Sequence, residues 1–146
     1  MAHYNFDKDL KDGQQAEKEV MERLQHHFPE ISGFQLSTSK GYDIEAMLDG
    51  ERITFEVKND LMAPKTGNVA IEYESRGKAS GIATTVADYW VYKIGDRCWM
   101  LPTRLLRQKL LEEKNYHRDV AGGDPGSNTR MLLVKVEKFT GWGIEI

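Results

Sequence analysis

The segment GYDIEAMLDGERITFEVK, Gly41–Lys58, decides how the chain folds. Two short apolar runs, Ile44–Leu48 and Ile53–Val57, stand on either side of Asp49-Gly50. An Asp-Gly pair between two such runs favours a tight turn, because both residues tolerate positive φ. The segment therefore predicts a β-hairpin with its turn at these two residues.

Charged residues stand at the open end of this predicted hairpin. Glu56 and Lys58 are two positions apart, so the alternation of strand side chains places them on one face. Phe55 and Val57 are expected on the opposite, apolar face, and Asp43 lies at the mouth of the first strand. Carboxylate oxygens are what Mg²⁺ takes from proteins, and an adjacent ammonium can orient a water or stabilise charge on a phosphate. The same residues also fit a half-solvated strand face, on which Glu-x-Lys pairs are common.

The combination of hairpin and charges resembles the PD-(D/E)XK nuclease superfamily, and within it the core of Holliday-junction resolvases and restriction enzymes. Gly41-Tyr42-Asp43 matches the first acidic position, and Glu56-Val57-Lys58 matches the E-x-K element. Tyr42 replaces the proline of the family's name, a departure that is frequent in the superfamily. The resemblance covers roughly residues 13–94 and implies a restriction-endonuclease-like core with Mg²⁺-dependent chemistry.

The resemblance also implies roles for individual residues. Lys58 would position the attacking water or stabilise charge on the phosphate. A glutamate on the first helix reaches toward the metal in such enzymes, and here that residue is Glu17. Glu72 would approach the metal if its strand neighbours the second strand of the hairpin; both glutamates also fit ordinary exposed charges. The implied ligands of Mg²⁺, for which Mn²⁺ can substitute, are Asp43, Glu56, the Val57 carbonyl, Glu17 and Glu72.

The net charge of −3 argues against a protein coated in positive charge for non-specific DNA binding. A nuclease is not excluded, because acidic metal ligands lower the formal charge and a bound metal returns about two units. Phosphate contacts would then come from local cations. Ser39 and Lys40 precede the acidic motif in a hydroxyl-rich loop, and Arg76 and Lys78 lie in RGKASG, whose glycines let backbone N–H groups approach a phosphate. Both segments also fit polar turns.

The composition is that of ordinary globular material, and 146 residues suffice for one domain, residues 1–146, with a sizeable core. No apolar run approaches the roughly 20 residues that a membrane span needs, and the N-terminus lacks the apolar segment of a signal peptide. Cys98 is the one cysteine in the sequence, which excludes an internal disulfide and fits a reducing cytoplasm. The expected protein is therefore cytoplasmic, with no membrane contact.

Hydrophobic periodicity outside the hairpin predicts further helices and strands. Residues 14–28 carry apolar side chains at three- and four-residue spacing, which predicts an amphipathic helix with Asp12 as its N-cap. A second helix is expected to begin with Thr103 as N-cap, and residues 116–128 are too rich in glycine for regular structure. This order predicts an α/β domain whose mixed central sheet is flanked by helices. Strands are expected at residues 31–36, 68–75, 89–94, 98–101, 130–136 and 142–146.

The first functional hypothesis is a metal-dependent DNA endonuclease that hydrolyses phosphodiester bonds, of a structure-specific, resolvase-like kind. A homodimer is expected, because symmetric cutting of two strands calls for two sites related by a two-fold axis. The alternatives are a catalytically inactive nuclease-fold module that binds nucleic acid in phage or mobile-element DNA metabolism, or an unrelated α/β domain. The retention of Asp43, Glu56 and Lys58 argues against the inactive module, which has no reason to keep like charges together.

Overall fold

The computed structural model describes the backbone of residues 6–122, 126 and 128–146, and the side chains of these residues apart from 6–10 and 12. Its helices are α1 (Phe6–His27), α2 (Ala63–Thr66), α3 (Thr103–Leu110) and α4 (Val136–Thr140), with 3₁₀ turns at Gly81–Ala83 and Glu113–Asn115. Its strands are β1 (Ser32–Leu36), β2 (Ile44–Leu48), β3 (Glu51–Asn59), β4 (Asn68–Ser75), β5 (Lys78–Ala79), β6 (Tyr89–Ile94), β7 (Arg97–Pro102), β8 (Arg118–Gly122), β9 (Thr129–Lys135) and β10 (Ile144–Glu145).

The strands form two sheets. The central sheet has the order β1-β2-β3-β6-β7-β10, and the second sheet has the order β5-β4-β9-β8. Within the described part of the chain, β3 and β6 form the one parallel pair and the other pairs are antiparallel. The predicted α/β domain with a mixed central sheet is therefore confirmed, whereas the antiparallel second sheet was not predicted.

The β2–β3 hairpin forms as predicted, with its turn at Asp49 and Gly50. Their φ angles are 51° and 81°, which is the left-handed region that this tight turn requires. β3 has nine residues and β2 has five, so β3 continues beyond Phe55, the partner of Ile44. This overhang pairs with β6 alone, and it carries the acidic and basic side chains of interest.

Asp88 fixes the start of the parallel pair. Its carboxylate Oδ2 accepts hydrogen bonds from the backbone N–H and the hydroxyl of Thr54, at 2.9 and 3.1 Å. The Asp88 N–H in turn donates to the Thr54 carbonyl at 3.1 Å. These bonds hold β6 in a register in which Trp90 lies beside Glu56 and Tyr92 lies beside Lys58.

Helix α1 covers one face of the central sheet. Val20 and Leu24 are fully buried against Phe55 and Val91, so the apolar stripe predicted for this helix is confirmed. The helix begins at Phe6 rather than after Asp12, so Asp12 lies inside it and the predicted N-cap is wrong. Lys8, Leu10 and Lys11 are good helix formers, and one interior glycine costs only about 1 kcal/mol. None of the described helices is both long and apolar enough to cross a membrane.

The opposite face of the central sheet packs against the second sheet and the shorter helices. Trp90 and Tyr92 of β6 enter a core with Ile71 and Val134 of the second sheet. Phe139 of α4 is fully buried in the same core. β6 is therefore buried on both faces, as its continuous apolar sequence predicts.

Two further local predictions are wrong. Thr103 is the first residue of α3 and not its N-cap, because its hydroxyl instead donates to the Ala87 carbonyl at 2.7 Å. Arg118–Gly122 forms β8 despite its glycine-rich surroundings, because it pairs with β9. The local sequence does not indicate this pairing. Residues 123–125 and 127 of the same predicted loop lie outside the described residues.

Candidate active site

Asp43 lies directly before the start of β2, beside the part of β3 that continues beyond the hairpin pairing. Its carboxylate Oδ2 accepts a hydrogen bond from the backbone N–H of Val57 at 2.8 Å. The side chain therefore bonds to β3 where the backbone of a longer β2 would otherwise do so. The N–H and the carbonyl of one strand residue point to the same side of the strand, so the Val57 carbonyl lies on the Asp43 side of β3. The hairpin therefore brings together a carboxylate and a backbone carbonyl that the resemblance had paired as metal ligands.

Glu56 and Lys58 lie together on the other face of β3, as alternation predicts. The Lys58 Nζ is 3.5 Å from the Glu56 Oε1, and it also lies over the Trp90 ring, 5.3 Å from the ring centroid. Trp90 is almost fully buried, so it gives the ammonium a fixed support. The Trp90 Nε1 donates to the Thr85 hydroxyl at 3.3 Å, which fixes the plane of the ring.

The carboxyl groups of Glu17, Asp43 and Glu56 lie close enough to affect one another's pKa. Burial raises the pKa of Glu56 to about 7, and the Asp43 charge adds to the rise while Lys58 counteracts it. Burial also raises the pKa of Asp43, although the Val57 N–H and Lys58 act in the opposite direction. Burial raises the pKa of Glu17 on α1, and the charge of Asp43 and a hydrogen bond between these two carboxyl groups add to it. The helix therefore brings Glu17 to Asp43, and its contact with a metal stays a prediction.

This donor set fits a hard cation that keeps part of its water shell. Among the described residues, no three Asp, Glu, His or Cys side chains converge as a complete metal cage. Mg²⁺ is usually held by one or two carboxylates, with waters and substrate oxygens filling its other positions. Asp43 and Glu56 are two half-buried carboxylates that repel each other, and a cation would relieve this repulsion.

No family model, curated protein or solved structure matches this chain.

A pocket of about 240 Å³ opens beside Glu56 and Lys58, and we call it the Glu56 pocket. Lys40 lines it from the loop before Asp43, and Thr85 lines it from the loop before β6. Glu72 lines it from the second sheet. The condition set for Glu72, that its strand neighbours β3, is wrong, because β6 is the neighbour of β3 on that side. Glu72 reaches the pocket across the space between the two sheets.

Gly81 shapes the wall of the Glu56 pocket. Its φ is 54°, and a Cβ at this position would overlap the backbone carbonyl oxygen of Glu72. The 3₁₀ turn can therefore approach β4 closely only because residue 81 has no side chain. The two residues that follow this turn closely, Thr84 and Thr85, line the pocket.

The other predicted phosphate contacts lie outside the lining of this pocket. Ser39 uses its hydroxyl to accept the Gly41 N–H at 3.2 Å, so it shapes the loop that carries Lys40. Arg76 occupies the tip of the β4–β5 hairpin with a φ of 55°, and Lys78 follows on β5 opposite Ser75. Both cations are exposed to solvent beyond the pocket, and their contact with DNA stays a prediction.

Sequence reasoning missed three residues that position the site. Trp90 and Thr85 support Lys58, and the signal for them appears only once β6 is known to run parallel to β3 in this register. Asp60 was treated as part of a connection. Its two carboxylate oxygens accept the N–H groups of Ala63 and Ala70 at 2.9 and 3.0 Å, so it ties the end of β3 to β4.

Proposed function

We propose that this protein is a metal-dependent endonuclease of the PD-(D/E)XK type that hydrolyses phosphodiester bonds in DNA. The observation that carries the proposal is the Asp43 carboxylate, bonded to the Val57 N–H at 2.8 Å beside the Glu56–Lys58 pair. The mixed sheet with this hairpin at its centre supports a restriction-endonuclease-like core. The alternative is an ordinary solvent-exposed strand face with unrelated charges. The position of Lys58 over the Trp90 ring argues against it.

Asp43, Glu56 and the Val57 carbonyl would hold a Mg²⁺ ion, and Mn²⁺ would substitute for it. When bound, such an ion stabilises charge on the phosphate and lowers the pKa of a water. Glu17 and Glu72 are more distant carboxyl groups that would act through waters. Glu17 adds to the negative charge around Asp43, and Glu72 adds to that of the Glu56 pocket.

Lys58 holds the reacting groups in place. Its ammonium can donate hydrogen bonds to the attacking water and to a non-bridging phosphate oxygen, because it stands at the edge of the Glu56 pocket. In the hydrolysis the attacking water gives up one proton as its oxygen forms a bond to phosphorus, and the bond from phosphorus to one sugar oxygen breaks. That oxygen takes up a proton and leaves as a hydroxyl group. Lys40 would neutralise the charge of a neighbouring phosphate.

The test is a cleavage assay on labelled linear and branched DNAs, with Mg²⁺ and with a chelator. Asp43→Asn removes the charge but keeps an oxygen that can accept the Val57 N–H, so the variant is expected to fold and to lose cleavage. Glu51→Gln is the matched control, because Glu51 is an exposed carboxylate at the start of β3, in the same hairpin. Cleavage by Asp43→Asn at the parent rate would overturn the proposal. Binding without cleavage, in every DNA and with either metal, would support the inactive binding module instead.

Symmetric cutting of a junction would require two copies of the chain, and we include a homodimer in the proposal. Sedimentation of the protein with and without a four-way junction tests this part separately. A complex that contains a single copy on a cleaved junction would remove the dimer and leave the nuclease.

A further inference from the structure

A second pocket adjoins the Glu56 pocket, and the two share Lys58 and Glu72. We call it the Met62 pocket; its volume is about 340 Å³. Small-ligand sites typically have about 300–1,000 Å³, so this one lies at the size of a single compact group. A ligand in it would lie directly beside a group bound at Lys58.

The lining of the Met62 pocket is mostly apolar, and hydrogen bonds hold several of its residues in place. Tyr92 is almost fully buried, and its hydroxyl donates to the Ala70 carbonyl at 3.3 Å. Asp60 accepts the Met62 N–H at 3.2 Å in addition to the bonds that tie it to α2 and β4. The loop that forms one wall is therefore anchored to the second sheet. Met131 of β9 completes the apolar lining.

Two large apolar side chains stand exposed at the rim of the Met62 pocket. Leu61 is 60% exposed and Met62 is 58% exposed, and they follow Lys58 by three and four residues. Single exposed apolar residues are ordinary, but here two adjacent ones border a pocket that opens beside a polar site. Burial of these side chains against an apolar surface would be favourable, and none of the described residues provides that surface.

The lining indicates the chemistry of the ligand. A nucleobase has two apolar faces, a polar edge, and a link through one sugar to a phosphate. The apolar faces match Leu61, Met62 and Met131. The polar edge matches Asn59, which lines the pocket and whose side-chain amide has no hydrogen-bond partner among the described residues. An Asn amide can donate and accept at a base edge at the same time.

We infer that the Met62 pocket receives one unstacked nucleobase next to the phosphate at Lys58. The inference rests on the proposed function and names its substrate class: DNA with unpaired nucleotides, such as a single strand or a flap. A base inside an uninterrupted duplex must first be unstacked and unpaired, whereas an unpaired base avoids most of this cost. The expected preference for unpaired over duplex DNA is at least about tenfold.

The test measures binding without cleavage, in Ca²⁺, with DNAs that carry a single 2-aminopurine. Single-stranded, flap and duplex forms of one sequence are compared. The double variant Leu61→Ser/Met62→Ser is expected to bind the unpaired forms about tenfold more weakly than its parent and to lose the change in 2-aminopurine fluorescence. Leu111→Ser is the matched control, because Leu111 is 83% exposed and lines neither pocket.

The outcomes separate this inference from the proposed function. A base-dependent signal that the double variant loses supports the pocket, even if no DNA is cleaved in Mg²⁺ and the nuclease proposal falls. Equal affinity for duplex and unpaired DNA, unchanged in the double variant, would overturn the pocket while cleavage still upheld the nuclease. Because both side chains are exposed, the double variant is expected to keep the melting temperature of its parent, and a circular-dichroism melt checks this.

Discussion

Replacement of Glu56 by glutamine is expected to stabilise the metal-free protein at neutral and alkaline pH. Burial raises the pKa of this carboxyl to about 7, so its charged form is unfavourable in the folded protein even with Lys58 beside it. Glutamine has nearly the same shape and carries no charge. The substitution therefore removes an unfavourable charge and also removes a proposed metal ligand.

The size of the effect follows from the shift of the Glu56 pKa. A change from 4.5 to about 7 corresponds to roughly 3 kcal/mol at 1.36 kcal/mol per unit. The Glu56 side chain is 21% exposed, and solvent screening reduces the expected gain to roughly 2 kcal/mol. For a chain of this length that gain corresponds to a rise in melting temperature of about 4–8 °C.

The sign of the pH dependence follows from proton linkage. Below a pH of 4.5 the carboxyl is protonated in the folded and the unfolded protein, so Glu56→Gln changes little. Between 4.5 and about 7 the unfolded chain gives up its proton while the folded protein keeps it, so the free energy of unfolding of the parent falls as the pH rises. The advantage of Glu56→Gln therefore grows through this window and is complete above about pH 7.

The measurement is urea unfolding of both proteins at about pH 4, 6 and 8, in the presence of a chelator. Glu51→Gln on the same strand is the control and should show no comparable gain. In a parallel thermal melt, saturating Mg²⁺ or Mn²⁺ should stabilise the parent by mass action and leave Glu56→Gln unaffected. A difference between parent and variant that is the same at every pH would refute the titration argument. Lower stability of Glu56→Gln at about pH 8 would mean that the ion pair with Lys58 outweighs the cost of burial.

Three further predictions concern the wall and the basic groups of the site. Lys58→Ala is expected to abolish cleavage and to keep the rise in melting temperature with metal, because the ammonium is not a ligand. Gly81→Ala is expected to lower the free energy of unfolding by about 3 kcal/mol, since the new Cβ meets the Glu72 carbonyl at a positive φ; urea unfolding measures this. Arg76→Ala and Lys78→Ala are each expected to lower the log–log salt slope of DNA binding by about one unit, measured as a salt series of binding isotherms.

Each of these predictions has an outcome that contradicts it. Cleavage by Lys58→Ala near the parent rate would remove the ammonium from the mechanism. Gly67→Ala is the control for the glycine, because Gly67 has a φ of 76° but nothing within 4 Å of an added Cβ. Equal losses in the two glycine variants would attribute the effect to φ alone. An unchanged salt slope would locate the DNA elsewhere, and the pocket lined by Lys114, Lys135 and Lys138 would be the next surface to test.

The sequence by itself determined the local features of the site. The turn at Asp49-Gly50, the burial of Phe55 and the common face of Glu56 and Lys58 all follow from two-residue periodicity and turn chemistry. The apolar stripe of α1 follows in the same way from helical periodicity. Such signals are carried by neighbouring residues, so no knowledge of the rest of the fold is needed to detect them.

The tertiary structure alone decided what surrounds the hairpin. The parallel pairing of β3 with β6 brings Trp90 beside Glu56, and the second sheet brings Glu72 to the same pocket from across the core. Asp60 became a tie between β3 and β4, and Arg118–Gly122 became a strand once β9 lay beside it. Pairing between strands depends on backbone hydrogen bonds and shared apolar burial across distant segments, and hydrophobic periodicity within one segment does not specify its partner.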